Sequence, residues 1–189
     1  TIFLRTGRIP EAASKLERAV AVDPRSILGR RSLAELRLRQ GRHEEGIDLQ
    51  RRLLEENPTD LDLLVSHASA LEQRGQAEQA RALLQAEIDR GTRDPRLYVA
   101  LARQSRDRLD PEQAAALLKQ AIAIVPDDAE AHLQLGKILA QQGHGQAALA
   151  EFREASRLAP ADPYAYYYVA SILEESGALE EAIDLYRRS

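Results

Sequence analysis

The sequence predicts an all-α fold, a stack of antiparallel helix pairs, and three observations predict it. The 189 residues are 44% apolar and 30% charged. They are rich in Ala, Leu, Gln, Arg and Glu, which favour helix, and poor in the β-branched and aromatic residues that favour strand. Second, Gly7, Gly41, Gly75, Gly143 and Gly177 share a period of 34 residues, with Leu109 in the one remaining place. Third, two more columns of small residues keep that period. One holds Ala12, Gly46, Ala80, Ala114, Ala148 and Ala182, the other Ala34, Ala68, Ala102, Gly136 and Ala170. A large side chain there would hold two helix backbones apart, so these columns mark close helix crossings.

Each repeat then reads the same way. A first helix of about fourteen residues closes at the glycine, which takes the left-handed conformation at little steric cost. A second helix starts two or three residues later and stops at a proline, which cannot continue it. Along the chain, a partial repeat at 1–26 carries Gly7, Ala12 and Pro24. Repeat 27–60 ends at Pro58 and departs from the apolar pattern at Arg30, Arg37 and Gln50, so it is expected to pack least well, with arginine stems snorkelling. Repeat 61–94 has Thr92 where the proline belongs. Repeat 95–128 has Leu109 in the turn, where a left-handed conformation would be strained. Its second helix has the clearest start: Asp110 as N-cap, Pro111 at the first position and Gln113 completing a capping box. Repeat 129–162 matches every column, and a partial repeat at 163–189 follows. The whole of 1–189 is one array, in which each pair buries its apolar face only against its neighbours.

Composition also excludes functions. The net charge of −4 offers no bulk positive field for nucleic acid, and no apolar run approaches the length needed to span a bilayer. Without cysteine there is no disulfide, thiolate metal site or cysteine nucleophile. A cysteine-free chain suits cytoplasm or periplasm equally. Thr1 in place of an initiator methionine is read as the start of a fragment, and the preference for Arg over Lys as a mark of a bacterial source.

Several motifs invite chemistry and lose it in context. The stretch GHGQAA (143–148) fits a dinucleotide fingerprint, but a helical segment rather than a strand leads into it. His43, His67, His132 and His144 lack metal-ligand spacing, and His67 and His132 fall in packing columns. Acidic pairs such as Glu44–Glu45 and Glu180–Glu181 suit helix starts and solvated faces. No inserted loop exists to form a catalytic pocket. The expectation is a non-enzyme with no cofactor.

Stretches such as AHLQLGKILAQQGHGQAALAEFREASRLAPAD (131–162) are similar, almost column for column, to the tetratricopeptide repeat (TPR) family, and the resemblance covers the whole chain. It implies a right-handed superhelical solenoid serving as a protein-binding scaffold. In that family the first helices line a concave groove that holds an extended peptide or a partner helix. Carried over by column, the groove presents Arg31, Glu35, Val65, Ser66 and Ser69. Arg96, Val99 and Arg103 follow, then Glu130, Leu133, Gln134 and Lys137. The groove variants that clamp acidic chaperone tails, or line a sugar-transferase superhelix, rely on asparagines. Asn57, the one asparagine here, lies outside the groove columns.

The segment PYAYYYVASIL (163–173) holds four of the six tyrosines. At 100° per residue Tyr164, Tyr167 and Tyr168 share one arc in the groove columns, while Tyr166 falls in the packing column of Leu64, Tyr98 and His132. One tyrosine is therefore expected in the core and three on the groove, where rings give large contact area at low entropic cost. Arg96, Arg103 and Lys137 are expected to place positive charge on the groove, suited to an acidic partner segment. Two further readings accompany the scaffold. Similar arrays belong to bacterial envelope proteins that organise exopolysaccharide synthesis and export, where tyrosines could stack on polysaccharide. The array could also serve as the adaptor of an enzyme whose catalytic domain lies elsewhere.

Overall fold

Six of the described helices begin where a side-chain oxygen accepts an otherwise unsatisfied backbone N–H. Ser26, Asp60, Asp94, Asp110, Asp128 and Asp162 take the amides of Gly29, Leu63, Arg96, Gln113, Ala131 and Tyr164 at 3.0–3.2 Å. The computed structural model describes residues 9–107 and 110–189, with side chains from 13 to 105 and from 110 onward. In these it contains eleven helices. They are α1 (Ile9–Val22), α2 (Ile27–Arg39), α3 (His43–Glu56), α4 (Leu61–Gln73), α5 (Ala77–Asp89), α6 (Pro95–Asp107), α7 (Pro111–Ile124), α8 (Ala129–Gln141), α9 (Gly145–Leu158), α10 (Pro163–Glu175) and α11 (Leu179–Tyr186). The fold is all-α, with sequential antiparallel pairs. Gly7, Ala12 and Leu109 lie outside the described backbone or side chains.

The turn glycines behave as their column requires. Gly41, Gly75, Gly143 and Gly177 have φ of +75°, +77°, +78° and +86°. A Cβ at any of them would meet nothing within 4 Å, so the torsion and not space demands glycine. A fifth glycine, Gly91 at φ +90°, was not foreseen. It closes α5 in the repeat that lacks the proline. Just beyond it, Thr92 donates its hydroxyl to Glu87 Oε1 (2.7 Å) while Arg90 holds Glu87 Oε2 (2.7 Å). The Thr92 hydrogen bond, with Arg90, keeps the Glu87 carboxyl below its usual range although it is buried. The expected capping box at α7 forms by half. Asp110 accepts from Gln113, but its own N–H goes to the Ser105 carbonyl (3.0 Å), and Gln113 Oε1 instead accepts from the buried Ser105 hydroxyl (2.9 Å).

Residues 1–86 and 87–189 form two compact units, the boundary falling inside α5. In the N-terminal unit α1 packs on α2, α2 pairs with α3, and α3 meets α4. Leu33 and Leu36 form a core with Leu16, Val20 and Leu49. The polar residues expected to weaken repeat 27–60 are matched in part, since Arg30 Nε and Gln50 Oε1 are buried without a hydrogen-bond partner. Arg30 grips both Glu56 oxygens at 2.6 Å. Arg37, buried, reaches Glu17 on α1 (2.6 Å) and Glu45 on α3 (3.3 Å), tying three helices together. Gln50 donates to Ser66 Oγ at 2.8 Å.

In the C-terminal unit α6–α7, α8–α9 and α10–α11 pair, with α7 on α8 and α9 on α10. The crossing columns are closed: Ala102, Ala114, Ala148, Ala170 and Ala182 are all buried. The main cluster joins Leu133, Ala148, Leu149, Phe152, Ala155, Ala165, Val169, Ala170, Leu173 and Ala182. Two assignments change here. Leu133, expected on the groove, is core, because α10 brings Ala165 and Val169 into the same cluster. Tyr166, expected in the core, is half-buried although Leu64, Tyr98 and His132 in its column are buried. No helix among the described residues is long and apolar enough to cross a membrane.

Candidate interaction surface

The first-helix surface of the C-terminal unit is organised around one missing Cβ. A Cβ on Gly136 would stand 2.6 Å from Phe152 Cδ1 and Cε1, so glycine lets the ring lie against the α8 backbone. Phe152 is fully buried on α9. Tyr168 of α10 stacks on it, with centroids 5.0 Å apart and planes 14° from parallel. Tyr167 meets Tyr168 edge-on at 5.4 Å and Tyr186 of α11 at 5.8 Å. Tyr186 donates its hydroxyl to Glu174 Oε2 (2.8 Å), and that hydrogen bond raises its pKa above the usual tyrosine value. A chain of rings thus runs from the core to the surface, and Lys137 Nζ sits 5.0 Å from the Tyr168 centroid, a cation–π contact.

Two cavities flank the Tyr168 ring. One, about 380 Å³, is lined by Lys137, Ala140, Gln141, Phe152, Tyr168, Ser171, Ile172 and Glu175. The other, about 370 Å³, is lined by Pro163, Tyr164, Tyr167, Tyr168 and Ser189. Tyr164 and Tyr167 are 64% and 49% exposed, so both rings are available to a partner. Tyr168 is half-buried, and Phe152, Gln141, Ser171, Glu175 and Tyr186 join a site that single-column reading of the sequence missed.

The other sequence-predicted residues divide by partner. In the C-terminal unit Arg96 is exposed but bound to Asp94 through Nε (2.9 Å) and Nη2 (2.6 Å), and that pairing holds the Asp94 carboxyl below its usual range. Its charge is matched locally, so the expected positive stretch is weaker than residue counting implies. Val99 is half-buried and Arg103 exposed. Glu130 accepts from Gln134 at 2.6 Å. In the N-terminal unit Arg31 pairs with Asp60, the N-cap of α4, at 2.9 Å. Glu35 pairs with Arg39 one turn on. Val65 and Ser69 are half-buried, and Ser66 is the acceptor of Gln50. Among the described residues no group of three or more His, Asp or Glu side chains could hold a metal ion.

Comparison with known proteins agrees with this architecture. Two models described as tetratricopeptide repeat match residues 1–60 and 107–172, between them most of the chain. No curated protein matches the sequence. Among solved structures, TTC0263, a thermophilic TPR protein of Thermus thermophilus, is 28% identical, with TM-score 0.65 over 86% of this chain and 89% of its own. PilF of Pseudomonas aeruginosa is 16% identical, with TM-score 0.76 over 97% of this chain and 83% of its own. YrrB, described as a TPR protein with an unusual peptide-binding site, is 18% identical, with TM-score 0.59 over 94% and 91%. Helix pairs, columns and matches lead to one assignment: the chain belongs to the tetratricopeptide repeat family.

Proposed function

We propose that this chain, like TPR domains in general a protein-interaction module, is a non-catalytic scaffold that binds a segment of another protein across α8 and α10, with Lys137, Tyr164, Tyr167 and Tyr168 as its principal contacts. The observation that carries the reading is the ring chain ending in exposed Tyr164 and Tyr167 beside two cavities. Rings fixed by the core lose little entropy on binding, and cavities of 300 Å³ or more take a partner's side chain. The half-buried Lys137 and the exposed Glu175 face the same cavity, so a partner side chain with an apolar stem and a polar tip fits its lining. The N-terminal unit presents Arg31, Glu35, Val65, Ser66 and Ser69 as a second contact stretch.

The test is affinity capture with the full chain, wild type beside Tyr164→Ala/Tyr167→Ala, followed by titration of each retained protein. A true partner should lose about 2 kcal/mol of binding or more in the variant, as at interface hot spots. Partners retained equally by both would sink this assignment of residues.

A further inference from the structure

Two histidines are buried in different units with opposite hydrogen-bond surroundings. His132, on α8, is 9% exposed. Its Nδ1 lies 2.6 Å from Glu151 Oε2 on α9, and its Nε2 lies 3.0 Å from the Pro126 carbonyl oxygen before α8. Both partners are acceptors. A neutral imidazole has one N–H and can serve only one of them, whereas the imidazolium serves both. His67, on α4, is 7% exposed, and its Nδ1 is enclosed with no hydrogen-bond partner. The geometry points to a paired acid response: acidification through the imidazole range tightens the α8–α9 contact of the C-terminal unit and loosens the α3–α4 contact of the N-terminal unit.

The neighbouring charges support both signs. On His132, burial opposes protonation, but the Glu151 hydrogen bond and the Pro126 carbonyl outweigh it, and the pKa is raised. Glu154 adds in the same direction, itself paired with Arg157 at 2.6 Å, and Arg157 also reaches Asp127 at 3.8 Å. Asp128 caps α8 and takes the Ala131 amide. α10 meets α8 through the apolar cluster of Leu133, Ala165 and Val169. On α6 and α7, Arg96, Arg103, Glu112 and Lys119 have exposed side chains. For His67, burial lowers the pKa and the positive charge of Arg51 on α3 adds to it. Arg51 is itself paired with Asp48 and Glu55. On α4 and α5, Asp62 and Glu78 are exposed, and Glu72 and Arg81 half-buried.

The sign follows from linkage. An unfolded imidazole titrates near about 6.5. With its folded pKa raised, His132 stabilises fully below that value, and the contribution is lost as pH rises through the folded pKa. With its folded pKa lowered, His67 lets the unfolded state bind more protons as pH falls below about 6.5, so stability is lost on the acid side.

The experiment is backbone hydrogen exchange on the full chain at about pH 5.5 and about pH 7.5, corrected for intrinsic rates. Protection in α8–α9 should rise by about threefold or more at the lower pH, and protection in α3–α4 should fall by a similar factor. His67→Leu, which places the residue found at Leu33, Leu101 and Leu135, should abolish the fall. His132→Leu, matching Leu64, should abolish the rise. A fall persisting in His67→Leu would assign the response to another group of the N-terminal unit and overturn the pairing. Proton NMR titration of the wild-type imidazoles requires no variant. One buried ring must titrate above about 6.5 and the other below. Both rings on the same side, or both units shifting in one direction, would refute the proposal.

Discussion

Replacing Gly136 by alanine tests the steric argument at the centre of the site. In a helix interior alanine is favoured over glycine by about 1 kcal/mol. Here its Cβ would stand 2.6 Å from two Phe152 ring atoms and 3.1 Å from a third, against a comfortable carbon separation of about 3.5–4.0 Å. The ring must retreat by about 1 Å on that scale, and Tyr168 lies stacked across one of its faces. Overpacking of this kind costs about 1–3 kcal/mol, so it should exceed the propensity gain and leave Gly136→Ala less stable by about 1 kcal/mol. Urea unfolding followed by far-UV circular dichroism measures this as a lower midpoint. Leucine occupies the Phe152 column at Leu84 and Leu118, each time with alanine in the Gly136 column. The double variant Gly136→Ala/Phe152→Leu should therefore be more stable than additivity allows, by about 1 kcal/mol or more. An alanine variant more stable than wild type, or strict additivity in the double variant, would show that Gly136 is not making room for the ring.

Other substitutions test other contacts. Tyr164→Ala should leave the unfolding midpoint within about 0.5 kcal/mol of wild type, whereas Tyr168→Ala, which removes the stack on Phe152, should cost about 1–3 kcal/mol; the same urea titrations decide. Arg37→Ala removes the cation that links Glu17 to Glu45, which keeps its pairing with Arg42, and opens a three-helix junction. Because both carboxylates are half exposed, the loss should be about 1–3 kcal/mol, below that for a fully buried pair, and hydrogen exchange in α1–α3 should rise. Gly91→Ala forces a side chain into φ +90° and should cost about 1–2 kcal/mol of stability by urea titration, despite open space around the Cβ.

Much of this architecture was legible because each column reports a local demand. A turn needs a left-handed torsion, and a crossing needs a small residue. The features that escaped are properties of two columns at once. Gly136 is the one glycine in its crossing column, and Phe152, sixteen residues on, is with Tyr186 one of two aromatic residues in the helix column facing it. The spacing from Gln50 to Ser66 repeats from Phe152 to Tyr168, so one interface position carries a hydrogen bond in one repeat and a ring stack in another. His132 and Glu151 are a matched pair where Leu64 and Leu83 are both apolar. Tyr166 differs from its column for the opposite reason: the column specifies a packing direction, not how deeply the ring is covered. The closure at Gly91 and Thr92 escaped because a proline stop was replaced by a hydrogen-bonded one with no proline to mark it.

The tyrosines also divide the molecule optically. All six, from Tyr98 to Tyr186, belong to the unit spanning 87–189, and the chain has no tryptophan. Tyrosine absorbance and emission therefore report on that unit alone, while the amide signal of the helices sums over both. Neighbour-limited contacts allow repeats to unfold without waiting for one another. If the two units do so, the tyrosine and amide transitions separate on one unlabelled sample, and their difference isolates the melting of residues 1–86. A partner segment laid across Tyr164 and Tyr167 would alter the same emission, so occupancy of the site and integrity of its unit can be followed together without any added dye.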